Sequence, residues 1–239
     1  MRQTLTIAGA VALGVALWST PAAAQSRPVV VELFTSQGCS SCPPADKILG
    51  ELARRGDVLA LGFHVDYWDN LGWKDPFSRQ SSTERQFAYA KRFGRRQVYT
   101  PQIVIDGTGE AVGSHADEVL AAVRAVSPTA AAPIAFAADR RSVTIGAAAV
   151  RGDPGKADIL LVRFVLRRTT RVAAGENARR TLDDTNAVAG LATLGHWDGG
   201  ERRFAIDPPA EGEGVAVLVQ AADGRILGAA ALLDSRAAG

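Results

Sequence analysis

Cys39 and Cys42 are the two cysteines of this 239-residue chain, and they stand in the run Cys39-Ser40-Ser41-Cys42. Thiols at this spacing can close a disulfide across one turn of chain and reopen it by thiol–disulfide exchange. The thiolate is the attacking form, and a thiol at a helix start lies near backbone N–H groups that favour it. Cys39, nearer the preceding loop, is the expected attacking group. Cys42, one turn into the helix, is the expected resolving group. Ser40 and Ser41 bring no charge to bias the thiolate.

The flanking segments must position this pair. Val29-Val30-Val31-Glu32-Leu33-Phe34 reads as a buried strand and Pro44 to about Arg55 as a helix, with Pro43 and Pro44 suited to its first turn. After a Gly56-Asp57 turn, Val58 to Val65 reads as a second buried strand, giving a βαβ unit with parallel strands. Such strands end on one edge of a sheet, so His64, Asp66, Tyr67, Trp68, Asp69, Trp73 and Lys74 should arrive beside Cys39. Tyr67, Trp68 and Trp73 could wall a substrate groove there or cap the core. Helices are expected at Glu84–Phe93 and His115–Val126, with a short strand at Gln102–Gly107 between them.

A strand, a short loop, a C-x-x-C and a helix are how thioredoxin-like proteins present a reactive dithiol. By that analogy the third strand runs antiparallel to the first, and Thr100-Pro101 at its start lies beside the cysteines. Pro101 there is normally cis, and the Thr100 backbone can pair with an extended substrate. Glu32 stands in an otherwise apolar strand. Buried under the dithiol, its carboxyl could accept the proton of Cys42; at a sheet edge it would face solvent.

Composition changes at residues 128–133, where small residues lie between two prolines. Beyond it, strands are expected at Ile134–Ala138, Ser142–Val150, Ile159–Arg167, Arg202–Ile206, Val215–Ala221 and Ile226–Leu232. Asp153-Pro154-Gly155 and Asp223-Gly224 read as turns, and Asn186–Leu194 as a short helix. The expected fold is α/β: a thioredoxin-like domain over residues 25–127, a linker over 128–133, and a smaller antiparallel β-rich, sandwich-like domain over 134–239.

Residues 1–24 read as a signal peptide: Arg2, an apolar Thr6–Trp18 stretch, and Ala22-Ala23-Ala24 before the cut. Export to a periplasmic or extracellular space is expected, with no membrane span after cleavage. An oxidising compartment gives a lone cysteine pair its meaning. The net charge of +2 names no partner. Without a basic stripe or interleaved aromatics a nucleic-acid partner is not expected. No phosphate-cradling glycine loop, serine elbow or dinucleotide fingerprint is present.

Three functions fit these residues. The first is an exported thiol–disulfide oxidoreductase acting on protein or small thiols of the cell envelope, with the Cys39–Cys42 disulfide in place of a cofactor. The second is copper handling at a soft site of Cys39, Cys42 and His64. The third is an envelope binding module in which the disulfide is a staple. Structural zinc lacks ligands, since His64, His115 and His196 have no paired spacing. Haem attachment lacks the histidine that would follow Cys42.

The run from Val31 to Asp46 resembles the opening of an exported bacterial thioredoxin-like family, catalogued as domain of unknown function 1223. His64-Val65-Asp66-Tyr67-Trp68-Asp69 with Leu71 to Phe77 resembles its second signature, and Tyr99-Thr100-Pro101-Gln102 with Asp106-Gly107 its third. Gly175-Glu176-Asn177, Asn186 and Gly195-His196-Trp197 resemble its C-terminal pattern, and read locally as turn and packing residues. The resemblance implies a thioredoxin-like fold and a cysteine pair, with no established substrate.

Overall fold

The computed structural model describes residues 27–128, 131–148 and 157–234. The signal-peptide reading, the Asp153-Pro154-Gly155 turn and part of the 128–133 segment lie outside the described residues. Among those described, no helix is long and apolar enough to cross a membrane.

The first half builds β1 (Val29–Thr35), α1 (Pro43–Ala53), β2 (Val58–His64), a 3-10 turn (Asp69–Leu71), α2 (Gln80–Arg92), β3 (Gln102–Ile105), β4 (Gly109–Val112) and α3 (Ala116–Ala125). β1 pairs parallel with β2 and antiparallel with β3, as expected, while β4 adds a hairpin partner to β3. Every residue of β1 and β2 is buried, which is why both read as continuous apolar runs. Their alternation sends Val31 and Leu33 against Ile48, Leu49 and Leu52 of α1 and against Val119 and Val123 of α3. Val30 and Phe34 point the other way, towards Tyr89 of α2.

The second half builds β5 (Ile134–Phe136), β6 (Ser142–Ile145), β7 (Ala157–Arg171), β8 (Thr181–Trp197), β9 (Arg202–Ala205), β10 (Glu213–Gln220) and β11 (Ile226–Leu233). One eight-stranded sheet runs β11-β10-β7-β8-β2-β1-β3-β4, and β5-β6-β9 form a separate three-stranded antiparallel sheet. The protein is thus a mixed α/β structure dominated by sheet. Asp223-Gly224 is the turn of the β10–β11 hairpin, as expected.

Asn186–Leu194 is not a helix; it lies within β8. Its small and apolar residues are paired along β7 from Val165↔Ala187 to Leu160↔Thr193, and this long-range ladder outweighs any local helical preference.

β8 meets β2 at Gly62↔Ala187. Gly62 permits this approach, because a Cβ there would stand 3.3 Å from the Thr185 carbonyl oxygen. Asn186, at φ 48°, gives its amide to the Ala60 carbonyl oxygen at 2.8 Å. Ahead of that bend the β7–β8 hairpin lies against α1, with Thr185 Oγ1 3.2 Å from the Cβ position of Gly50. The hairpin tip, residues 172–180, is thereby carried to the start of α1.

Candidate functional site

Cys39 and Cys42 form a disulfide with their Cα atoms 5.5 Å apart. Cys42 is the N-cap of α1, whose first positions are the prolines expected there. Ser41 Oγ lies 3.2 Å from Cys39 Sγ and the Thr100 carbonyl oxygen 4.0 Å from it. The Thr100–Pro101 peptide is cis. Neither cysteine has exposed surface.

Two residues of the hairpin tip hold the loop that carries the pair. Asn177, fully buried, donates through Nδ2 to the carbonyl oxygens of Gln37 at 3.0 Å and Cys39 at 2.9 Å. Its own Oδ1 accepts from Arg180 at 2.7 Å. Exposed Glu176 accepts the Ser40 N–H at 2.9 Å. Hydrogen bonds from Ser40 hold the Glu176 carboxyl below the usual carboxylate range. Gly175 makes the tip possible: its φ is +75°, and a Cβ there would come within 3.1 Å of the Trp73 Cβ.

The aromatic run does arrive at this edge, half-buried. Trp68 donates its indole N–H to Thr100 Oγ1 at 2.9 Å and Trp73 donates to Gln37 Oε1 at 3.1 Å. Tyr67 turns to Gln86, donating at 3.2 Å.

His64 turns both ring nitrogens to carboxylates. Its Nδ1 lies 2.7 Å from Asp75 Oδ2 and its Nε2 3.8 Å from Asp184 Oδ1, all three side chains being buried. Burial works against its charge, but Asp75, Asp184 and Asp46 outweigh it and push the imidazole up to about 9. Burial likewise opposes the Asp75 charge, yet His64 and the Gln37 and Phe77 amides hold that carboxyl below its ordinary range. Gln37 ties the parts together, giving its N–H to Asp75 at 2.7 Å and its amide to Asp184 at 2.6 Å. Among the described residues, no group of three or more His, Cys, Asp or Glu could hold a metal ion.

Glu32 lies on the α2 face of the sheet, opposite α1. Arg85 donates to it from Nε and, at 2.9 Å, from Nη2, and Tyr89 donates at 2.6 Å. The carboxyl on the α1 side is Asp46, one turn beyond Cys42, which accepts from Thr35 Oγ1 at 2.8 Å. Burial raises Asp46 to about 7, against the pull of His64 and the Thr35 hydrogen bond. Asp46 keeps some surface on a cavity of about 610 Å³ between α1 and the hairpin, lined also by Pro43, Lys47, Arg54, Arg180 and Asn186.

Sequence reasoning missed Asp46, Asp75, Asp184 and Gln37 as site residues, and gave Glu176 and Asn177 turn and packing roles. Most of these had a signal: Gln37, Asp46 and Asp75 fall in the quoted signatures, and Gly175-Glu176-Asn177 belongs to another. Asp184 had none, since only the bend at Asn186 brings it under His64.

Fold and site together define a mixed α/β protein with a C-x-x-C disulfide at a helix start, clasped by a β-hairpin tip. The chain belongs to the family described as "Protein of unknown function (DUF1223)", whose model matches residues 30–220. It is similar to the crystal structure of protein AGR_C_4864 from Agrobacterium tumefaciens, at 35% identity and a TM-score of 0.73, over 88% of this chain and 96% of that one. It is also similar in fold to HBP35 of Porphyromonas gingivalis, at 15% identity and a TM-score of 0.56, over 87% of this chain and 75% of that one. No curated protein matches.

Proposed function

We propose that the chain is an exported, thioredoxin-like thiol–disulfide oxidoreductase acting through Cys39 and Cys42. The observation that carries the reading is the disulfide at the N-terminus of α1, beside Thr100 and Pro101 at the start of an antiparallel β3. The β2-β1-β3-β4 order, with α1 and α3 on one face and α2 on the other, supports a thioredoxin-like unit. The strands after residue 133 extend its sheet and form the three-stranded one.

In the chemistry proposed, the Cys39 thiolate attacks a substrate disulfide, forming a mixed disulfide and releasing one substrate thiolate. Cys42 then attacks Cys39 Sγ, closing the intramolecular disulfide and releasing the second. The proton of Cys42 passes to a carboxylate, and we assign that role to Asp46. Residues four apart on a helix are neighbours, and Asp46 shares the α1 side of the sheet, whereas Glu32 is held by Arg85 on the other face. The reverse sequence reduces the protein and oxidises substrate thiols. Thr100, Tyr67, Trp68 and Trp73 remain the proposed substrate contacts.

The test is trapping. With Cys42→Ser, glutathione disulfide should leave a stable mixed disulfide on Cys39, read by mass; with Cys39→Ser, none should accumulate at Cys42. Equal labelling of both variants contradicts the assignment.

One observation favours a second reading, a binding module with a structural disulfide: neither cysteine has exposed surface. In the oxidoreductase reading the surroundings of Cys39 must open for substrate to reach it.

A further inference from the structure

Gly175-Glu176-Asn177 stands far from the cysteines in sequence and plays no part in the exchange chemistry above. Its placement gives it one. Asn177 fixes the hairpin tip to the Gln37 and Cys39 carbonyls, and this anchor sets the Glu176 carboxylate on the Ser40 N–H. That amide follows Cys39 directly, so covalent geometry keeps the carboxylate within about 8 Å of Cys39 Sγ. Among the described residues, the side chains bonded to Cys39 and Ser40 are those of Asn177, Ser41 and Glu176, and of these Glu176 alone carries charge.

Two effects then act on Cys39 in the same direction. The Ser40 N–H, in the loop just before α1, is a donor next to Cys39 that could otherwise turn to its thiolate, and Glu176 occupies it. A fixed negative charge also disfavours a second one close by. We propose that Glu176 is a positioning residue that opposes ionisation of Cys39 and so weights the Cys39–Cys42 pair towards the disulfide. The inference deepens the oxidoreductase reading and rests on it for its functional meaning. Stabilising the thiolate stabilises the reduced protein, so removing the charge should make the pair easier to reduce. Glu176 is exposed, so the effect should be modest and screened by salt.

Glu176→Gln tests this, because the amide can still accept from Ser40 while the charge is gone. In full-length protein carrying Cys42→Ser, the Cys39 thiol pKa is read from the ultraviolet absorbance of its thiolate. Glu176→Gln should lower it by about half a unit to one unit at low salt. In the protein with both cysteines, the equilibrium with glutathione should move about three- to ten-fold towards the dithiol. Both differences should shrink in about 1 M salt, where charges are screened within a few ångströms. A merely structural tie would leave the thiol pKa unmoved. Equal values in the two proteins overturn the proposal. The thiol titration needs no turnover, so it decides on Glu176 even when the unaltered pair proves too stable for an exchange catalyst.

Discussion

Asn177 donates to the carbonyl oxygen of Cys39 at 2.9 Å across 138 residues of sequence. The same amide nitrogen serves Gln37. A residue of the strand-rich half therefore supports the main chain on which the candidate dithiol is mounted. Asn177→Ala would leave two carbonyls in a buried site without that donor, costing about 1–3 kcal/mol. Chemical denaturation should show the loss. The tip should also open more readily, so reduction of the disulfide by a small phosphine should quicken about tenfold. A rate unchanged beside a lowered stability would mean that the hairpin tip does not guard the pair.

The buried charges make stability depend on pH in a definite direction. His64 is raised from its ordinary 6.5 to about 9, so its contribution is complete below about 6.5 and is lost as pH climbs through 9. Asp46 is raised from 3.8 to about 7, so the folded protein binds that proton more tightly and loses stability as pH rises between those values. Asp75, held low, acts oppositely and only as pH falls through the acid range. Thermal unfolding should therefore show stability declining from about pH 4 to pH 9. Asp46→Asn should flatten the lower part and, with solvent screening allowed for, stabilise the protein by about 1 kcal/mol near pH 8. Stability rising through that range would contradict the assignment of these charges.

The two buried acids should part company in kinetics. Asp46→Asn should slow resolution of the mixed disulfide by about tenfold or more, within the range of general acid–base catalysis. Glu32→Gln should change that rate less than about threefold. Arg85→Met should instead act on stability, by about 3–5 kcal/mol, because it leaves Glu32 buried and charged. Stopped-flow thiol exchange and urea unfolding separate these outcomes. A larger rate effect from Glu32→Gln than from Asp46→Asn would return the proton to Glu32.

Much of the first half was legible because its signals are local. The apolar runs before Cys39 and before His64, the prolines after Cys42 and the turn at Gly56-Asp57 fix β1, α1 and β2 without reference to the rest. From these it follows that Trp68 and Trp73 reach the cysteine edge. Glu32 resisted for a different reason. Period-two alternation tells which strand residues share a face, but not which face carries α1, so its guanidinium partner was invisible. His64 looked free to join the sulfurs until Asp75 and Asp184 claimed its nitrogens. The β8 segment around Asn186 failed on periodicity, since its stability lies in pairing with β7. Asn177 looked like a turn residue, as it is locally; its second task depends on a hairpin long enough to reach α1.

The most direct test of the central claim is the reduction potential of the Cys39–Cys42 pair in the purified protein. It would be equilibrated in glutathione buffers, its thiols trapped by alkylation and read by mass, with Cys39→Ser as the control. An exchange catalyst should give a value between roughly −100 and −270 mV. A value well below about −300 mV would mark the disulfide as a structural staple and contradict the oxidoreductase account.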